Sequence, residues 1–192
     1  MSGVFRELLM KIGSGPHTGK NLSREEAKRA LILMLEQEAT PAQIGAFLIA
    51  HRIRRPTSEE LAGMLDAFDE LGPTVPAIAS DKPVCIFGTA YDGRSRTFPL
   101  GVGVALTMAA AGYPTLLHGG ARMPSKYGLP LVDIWSALGV DWRSLSLDEV
   151  HHHLENHKLG FLYLPHHFPL AHGLVQFREE IGKRPPLATL EL

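Results

Sequence analysis

The chain has 192 residues, with 19 Lys and Arg against 20 Asp and Glu, for a formal net charge of -1. A near-neutral balance provides no chain-wide field to hold a polyanion, which excludes a dedicated nucleic-acid clamp as the default. The single cysteine, Cys85, excludes an internal disulfide framework and points to a reducing, cytoplasmic compartment.

The opening MSGVFRELLMKIG alternates charged and apolar residues as a surface helix does and lacks the apolar core of a signal peptide. Ser23 with Glu26 spells a capping box ahead of a helix over 25–38. Thr40 followed by Pro41 opens the next helix, through Ile53: the threonine hydroxyl accepts orphan amide bonds, and proline has no N–H to lose at the first position. Thr57 with Glu60 makes a further box, and Gly72-Pro73 stops the helix that runs through Leu71. An all-helical domain over 1–72 is therefore expected. The stretch after it carries three prolines up to Pro83 and no amphipathic period, and residues 73–83 read as a linker.

From Lys82 the pattern changes. Residues 84–87, 115–117 and 160–164 read as strands, and residues 100–111, 131–138, 148–158 and 169–181 as helices, the last closed by Gly182. Such alternation predicts an α/β fold with a parallel sheet over 84–192. Three strands leave an apolar edge uncovered, so this domain is expected to be incomplete and the chain to be the front part of a longer protein. The longest apolar run, Leu100 to Tyr113, is broken by glycines and falls short of the roughly 20 residues of a membrane span.

Two loops at strand ends hold the residues suited to ligand chemistry. The first runs from Gly88 to Phe98, between a strand and a helix, where open α/β sheets bind their ligands. Gly88 and Gly93 let backbone approach a ligand, Arg94 and Arg96 suit phosphate, Thr89 and Thr97 offer hydroxyls, and Asp92 reaches a hydroxyl or a metal. The second loop, after the next strand, offers Arg122, Ser125 and Lys126 to phosphate oxygens, with His118 at the strand end. Arg178, on the last helix, suits a carboxylate through two parallel hydrogen bonds, or else pairs with Glu179 or Glu180. His153 and His157 stand four apart with His166, His167 and His172 further on, but no H-E-x-x-H pattern accompanies them and a solvated face is the expectation. No G-x-S-x-G elbow starts a serine-hydrolase triad.

The segments Thr40-Pro-Ala-Gln-Ile-Gly-Ala-Phe-Leu-Ile-Ala50, Glu59-Glu-Leu-Ala-Gly63, Gly88-Thr-x-x-Asp-Gly93 and His118-Gly119 occur in the order seen in the anthranilate phosphoribosyltransferase family, glycosyltransferase family 3. The resemblance runs from the first helix to about Arg184. It implies a helical dimerisation domain, hence a homodimer through the N-terminal helices. It also implies a nucleoside-phosphorylase-like α/β domain that transfers phosphoribosyl from phosphoribosyl diphosphate (PRPP) to an aromatic amine such as anthranilate, in tryptophan biosynthesis. Mg2+ is the implied cofactor, with the family's acidic magnesium pair beyond residue 192. Carried over by position, the diphosphate loop falls on Gly88, Thr89, Ala90, Tyr91 and Asp92, so two of its glycines are replaced. The family's N-x-S-T step falls on the apolar Pro99, Leu100, Gly101 and Val102. In K-H-G-N-R, His118 and Gly119 are kept while Leu117, Gly120 and Ala121 replace the lysine, asparagine and arginine; Ser125, Lys126 and Gly128 retain part of S-S-K-x-G. His118 and Arg178 fall on the aromatic-substrate side, Arg178 matching the arginine that holds the anthranilate carboxylate. Tyr91, Asp92, Gly93 and Arg96 also resemble the loop of a divergent branch that has lost the PRPP motifs and has members that bind nucleic acid. A phosphoribosyltransferase, a non-catalytic binder of nucleic acid or a nucleotide, and a dimer with a different small-molecule ligand all remain open at this point.

Overall fold

The structure, a computed structural model, describes residues 3–15, 17–88 and 93–190. The chain divides into two compact units, one running to Gly72 and resuming at Gly173, the other from Pro73 to His172.

The first unit is a helical bundle of α1 (Gly3–Gly13), α2 (Arg24–Leu35), α3 (Pro41–Arg54) and α4 (Ser58–Leu71). Its helix starts follow from local chemistry: Ser23 with Glu26, Thr40 with Gln43 and Thr57 with Glu60 each close a reciprocal capping box. Each such cap contributes about 1 kcal/mol. Phe5, Ile12, Leu31, Leu35, Ile44 and Phe47 fill the core, and the Phe5 and Phe47 rings meet at 5.5 Å between centroids. Helices α2 and α4 pack so closely at Gly63 that a methyl group there would sit 2.8 Å from the Arg24 carbonyl carbon, and only glycine fits. Glu60 ties the bundle together from inside. It is 2% exposed and accepts hydrogen bonds from the backbone amides of Leu22 (2.9 Å) and Thr57 (2.7 Å) and from the Thr57 hydroxyl (3.1 Å). His51 Nε2 lies 3.8 Å from it.

The second unit is a three-stranded parallel sheet in the order β1-β2-β3, with β1 at Cys85–Gly88, β2 at Thr115–Gly119 and β3 at Leu159–Tyr163. Register pairs Gly88 with His118 and His118 with Leu162, so the ends of all three strands lie side by side. The crossovers are α5 (Gly101–Ala110) between β1 and β2, and α6 (Leu131–Ala137) with α7 (Leu147–His157) between β2 and β3. The central strand is the buried one, as parallel sheets require. Leu117 packs with Val102, Ala105, Val132, Trp135 and Phe161 on one face, and Leu116 with Val150 and Leu154 on the other. On the edge strand, Ile86 is 66% exposed.

Three expectations are corrected. The stretch 73–83 is not a free linker: Val75 and Ile78 pack on the Leu116–Val150–Leu154 cluster, and Lys82 donates to the Ala111 carbonyl (2.6 Å) while lying over the Tyr113 ring. The helix expected over 169–181 is broken. After the single turns α8 (Leu164–His167) and α9 (Pro169–His172), the chain turns at Gly173 and Leu174 before α10 (Val175–Ile181). From Gly173 the chain belongs to the helical unit rather than to the α/β unit expected to extend over 84–192, because Leu174, Phe177 and Leu187 find buried places there and the Arg52 guanidinium donates to the Arg184 carbonyl. A 3-10 turn over Pro186–Thr189 follows.

Candidate functional site

The two sequence-predicted loops are stapled together. Arg94 and Leu129 form an isolated antiparallel bridge, amide to carbonyl in both directions at 3.1 and 3.0 Å. Gly93 makes the bridge possible. Its φ is +73°, and a Cβ there would fall inside contact distance of the Gly128 carbonyl and 2.8 Å from the Leu129 carbonyl carbon. The consequence is a polar cavity of about 480 Å³ walled by Gly93, Arg94, Ser95, Arg96, Thr97 and Lys126. Arg94 Nη1 lies 3.4 Å from the Thr97 hydroxyl. Arg94, Arg96 and Lys126 line one concavity with Ser95 and Thr97, and none of its described walls carries a carboxylate, a set of side chains that suits an oxyanion such as a phosphate.

A second cavity, of about 470 Å³, shares Arg94 and Thr97 as walls. Its other walls are chiefly apolar: Phe87, Phe98, Leu100, Val104, Leu129 and Leu131. It opens at the start of α5, whose first turn has no side-chain cap to satisfy its amides.

The remaining candidates are placed as follows. Gly88 ends β1 and lines the apolar cavity. Thr89 and Asp92, with Ala90 and Tyr91, lie outside the described residues. Ser125 is exposed beside Lys126 but is not a wall of the polar cavity, whereas Ser95, which the sequence did not single out, is one. Arg122 is engaged elsewhere, with Nε 3.3 Å from Asp133, a carboxylate that also takes Arg143 at 2.8 Å. His118 is half-buried at the end of β2, and that desolvation pushes its pKa below the usual histidine value. Arg178 is 2% exposed on α10 within the helical unit and is not the solvated surface residue that pairing with Glu179 or Glu180 on an outer face implied.

The histidines have structural work. The Tyr163 amide donates to His167 Nδ1 (2.9 Å) and His167 Nε2 faces the Leu145 carbonyl (2.8 Å), which fixes a neutral ring as a strut between the end of β3 and the entry to α7. His153 stacks edge-on against Trp142 and lies against His157. Among the described residues no three His, Cys, Asp or Glu side chains gather as a metal-holding group. Among the described residues the walls of the two cavities are cationic, hydroxylic or apolar, with Pro99, Leu100, Gly101 and Val102 at the step where the family pattern is polar, and these side chains do not fit a resident Mg2+.

The family model of the glycosyl transferase family helical bundle domain matches residues 6–72. The match is to the helical part of the chain. It is 33% identical over 179 residues to an anthranilate phosphoribosyltransferase of Dictyoglomus turgidum, covering 93% of this chain and 50% of that protein. It is 36% identical over 169 residues to one from a Bradyrhizobium strain, covering 87% of this chain and 48% of the relative. Among solved structures it is similar to the anthranilate phosphoribosyltransferase of Thermus thermophilus, with a TM-score of 0.79 and 25% identity over 98% of this chain and 53% of that one. The Saccharomyces cerevisiae enzyme in complex with PRPP and Mg has the same fold at TM-score 0.80 and 19% identity, over 100% of this chain and 55% of that one. The chain thus spans about half the length of the curated relatives it matches. No helix among the described residues is long and apolar enough to cross a membrane.

Proposed function

We propose that this chain carries the donor-binding part of a phosphoribosyltransferase site, in which PRPP gives its ribose phosphate to an aromatic amine of the anthranilate class. The observation that supports this reading most directly is the cavity in which Arg94, Arg96 and Lys126 converge with Ser95 and Thr97, beside strand ends where an α/β fold presents ligands. The named relatives favour the transferase over a nucleic-acid binder.

The chemistry asked of the site is modest. The amine nitrogen forms a bond to the anomeric carbon as the carbon–oxygen bond to diphosphate breaks; diphosphate leaves with the electron pair and the amine releases a proton. No covalent nucleophile is required. The cations stabilise the charge that develops on the leaving diphosphate, which is where preorganised electrostatics contribute most. Here side-chain cations replace the backbone cradle, since Ala90 and Tyr91 stand where the family loop has glycine. His118, at the end of β2, serves the aromatic substrate in this reading.

The test is calorimetric titration with PRPP, with and without MgCl2, on the longest native form of the chain, followed by loss of anthranilate fluorescence as product forms. Micromolar binding that is weakened at least tenfold by Arg96→Ala supports the reading. No heat at millimolar PRPP refutes it.

A further inference from the structure

The apolar cavity is unexplained by phosphate binding. Phe98 is 80% exposed, Leu100 64%, Val104 42% and Leu129 37%, all around one concavity. Clustered exposure of this kind marks a surface that meets an apolar partner. The charge at its boundary says which kind. Arg94 and Thr97 are walls of both cavities, so an apolar group seated against Phe87, Val104 and Leu131 has a guanidinium at its edge and, through it, the basic concavity of Arg96 and Lys126. A site 470 Å³ in volume is ample for a bicyclic aromatic ring, given that a cavity of about 150 Å³ holds benzene. The polar step of the family pattern would have filled this wall with hydrogen-bonding side chains; Pro99, Leu100, Gly101 and Val102 offer none.

We infer that the two cavities form one bipartite site for a phosphate monoester that carries an aromatic ring, with the phosphate held between Arg94, Arg96 and Lys126 and the ring against Phe98, Leu100, Val104 and Leu129. The inference rests on the anion-binding half of the reading above. It seats the ring on the apolar wall that includes Gly88, the residue paired with His118 across β1 and β2, and it asks no divalent ion of the protein.

The experiment is calorimetry of the full chain in EDTA with inorganic phosphate, ribose 5-phosphate, phenyl phosphate and 1-naphthyl phosphate. A ring entering this cavity tightens binding at least tenfold over inorganic phosphate, in the order naphthyl above phenyl, a modest demand when one methylene in an apolar pocket is worth roughly tenfold or more. Ribose 5-phosphate lacks an apolar ring and binds no tighter than inorganic phosphate. Val104→Trp fills the cavity and brings the naphthyl-to-phosphate affinity ratio down to about one; Phe98→Ser, at a position too exposed to unfold the protein, lowers the same ratio at least threefold. Equal affinity for naphthyl phosphate and inorganic phosphate overturns the bipartite site while leaving the anion site standing. Absence of binding by all four ligands overturns both. Tighter binding of ribose 5-phosphate than of naphthyl phosphate overturns the apolar assignment alone.

Discussion

Substituting Gly93 by Ala tests whether the loop staple builds the anion site. With φ at +73°, a residue with a Cβ incurs about 1–2 kcal/mol of backbone strain. The added methyl also meets the Gly128 carbonyl and lies 2.8 Å from the Leu129 carbonyl carbon; both are backbone, so relief requires moving a loop, a further overpacking cost of about 2 kcal/mol. Against this stand the two Arg94–Leu129 hydrogen bonds, worth about 1 kcal/mol each net of water. The bridged arrangement changes from favoured by about 2 kcal/mol to unfavoured by about 1–2 kcal/mol, so only about a tenth of molecules hold Arg94 and Arg96 opposite Lys126. Apparent phosphate affinity then falls about tenfold, in proportion to the competent fraction. The assay is phosphate calorimetry beside amide hydrogen exchange, in which protection of the Arg94 and Leu129 amides collapses in the variant. Gly103→Ala is the control. It stands within α5, with nothing within 4 Å of an added Cβ, and stabilises the protein by about 0.5–1 kcal/mol with phosphate affinity unchanged. Wild-type affinity in Gly93→Ala with exchange protection lost would refute the claim that the bridge organises the site.

Two further outcomes follow from the helical bundle and the buried histidines. Glu60→Ala removes the acceptor for the Leu22 and Thr57 amides; urea unfolding should show a loss of about 2–4 kcal/mol, since a buried donor left without a partner costs about 1–3 kcal/mol, and a loss of only about 1 kcal/mol, the value of a cap alone, would mean that the buried Leu22 contact contributes nothing. Burial lowers the pKa of His51, with the Glu60 carboxylate opposing the shift and Arg54 adding to it, and burial likewise lowers His118, His167 and His172. All four bind protons less readily when folded, so stability is full above the ordinary histidine pKa of about 6.5 and is lost as pH falls from there through the lowered folded values. Melting temperature should be flat from pH 8 to 7 and fall toward pH 5, and His51→Gln should flatten part of that fall; an unchanged profile in the variant would remove His51 from the account.

What was legible in the sequence was what is settled within a few residues. Ser23 with Glu26 and Thr57 with Glu60 are pairs three apart, and a box of this kind satisfies orphan amides whatever the rest of the chain does. The parallel sheet was legible too, because alternation of short apolar runs with helices leaves few other ways to pair strands. The break at Gly173 was not, since Pro169 to Ile181 carries a continuous helical pattern and the reason to interrupt it is a distant surface that takes Phe177 and Leu187. The same limit governed the site. Leu100 to Val104 looks like the start of a buried helix, and only the fold shows Leu100 and Val104 left at a cavity mouth.

The polar cavity shows where that limit falls at a single residue. The sequence marks Gly93 as a glycine among polar residues, which suits a turn, an anion cradle or a flexible tip equally well. Its necessity comes from Gly128 and Leu129, in a loop on the far side of α5 and β2 along the chain, whose backbone passes where any side chain at 93 would stand. That contact sets Arg94 against Leu129, and with it the convergence of Arg94 and Arg96 on Lys126. Arginines in one loop and a lysine in another are unremarkable by composition. They line one cavity because a missing Cβ lets two backbones pair.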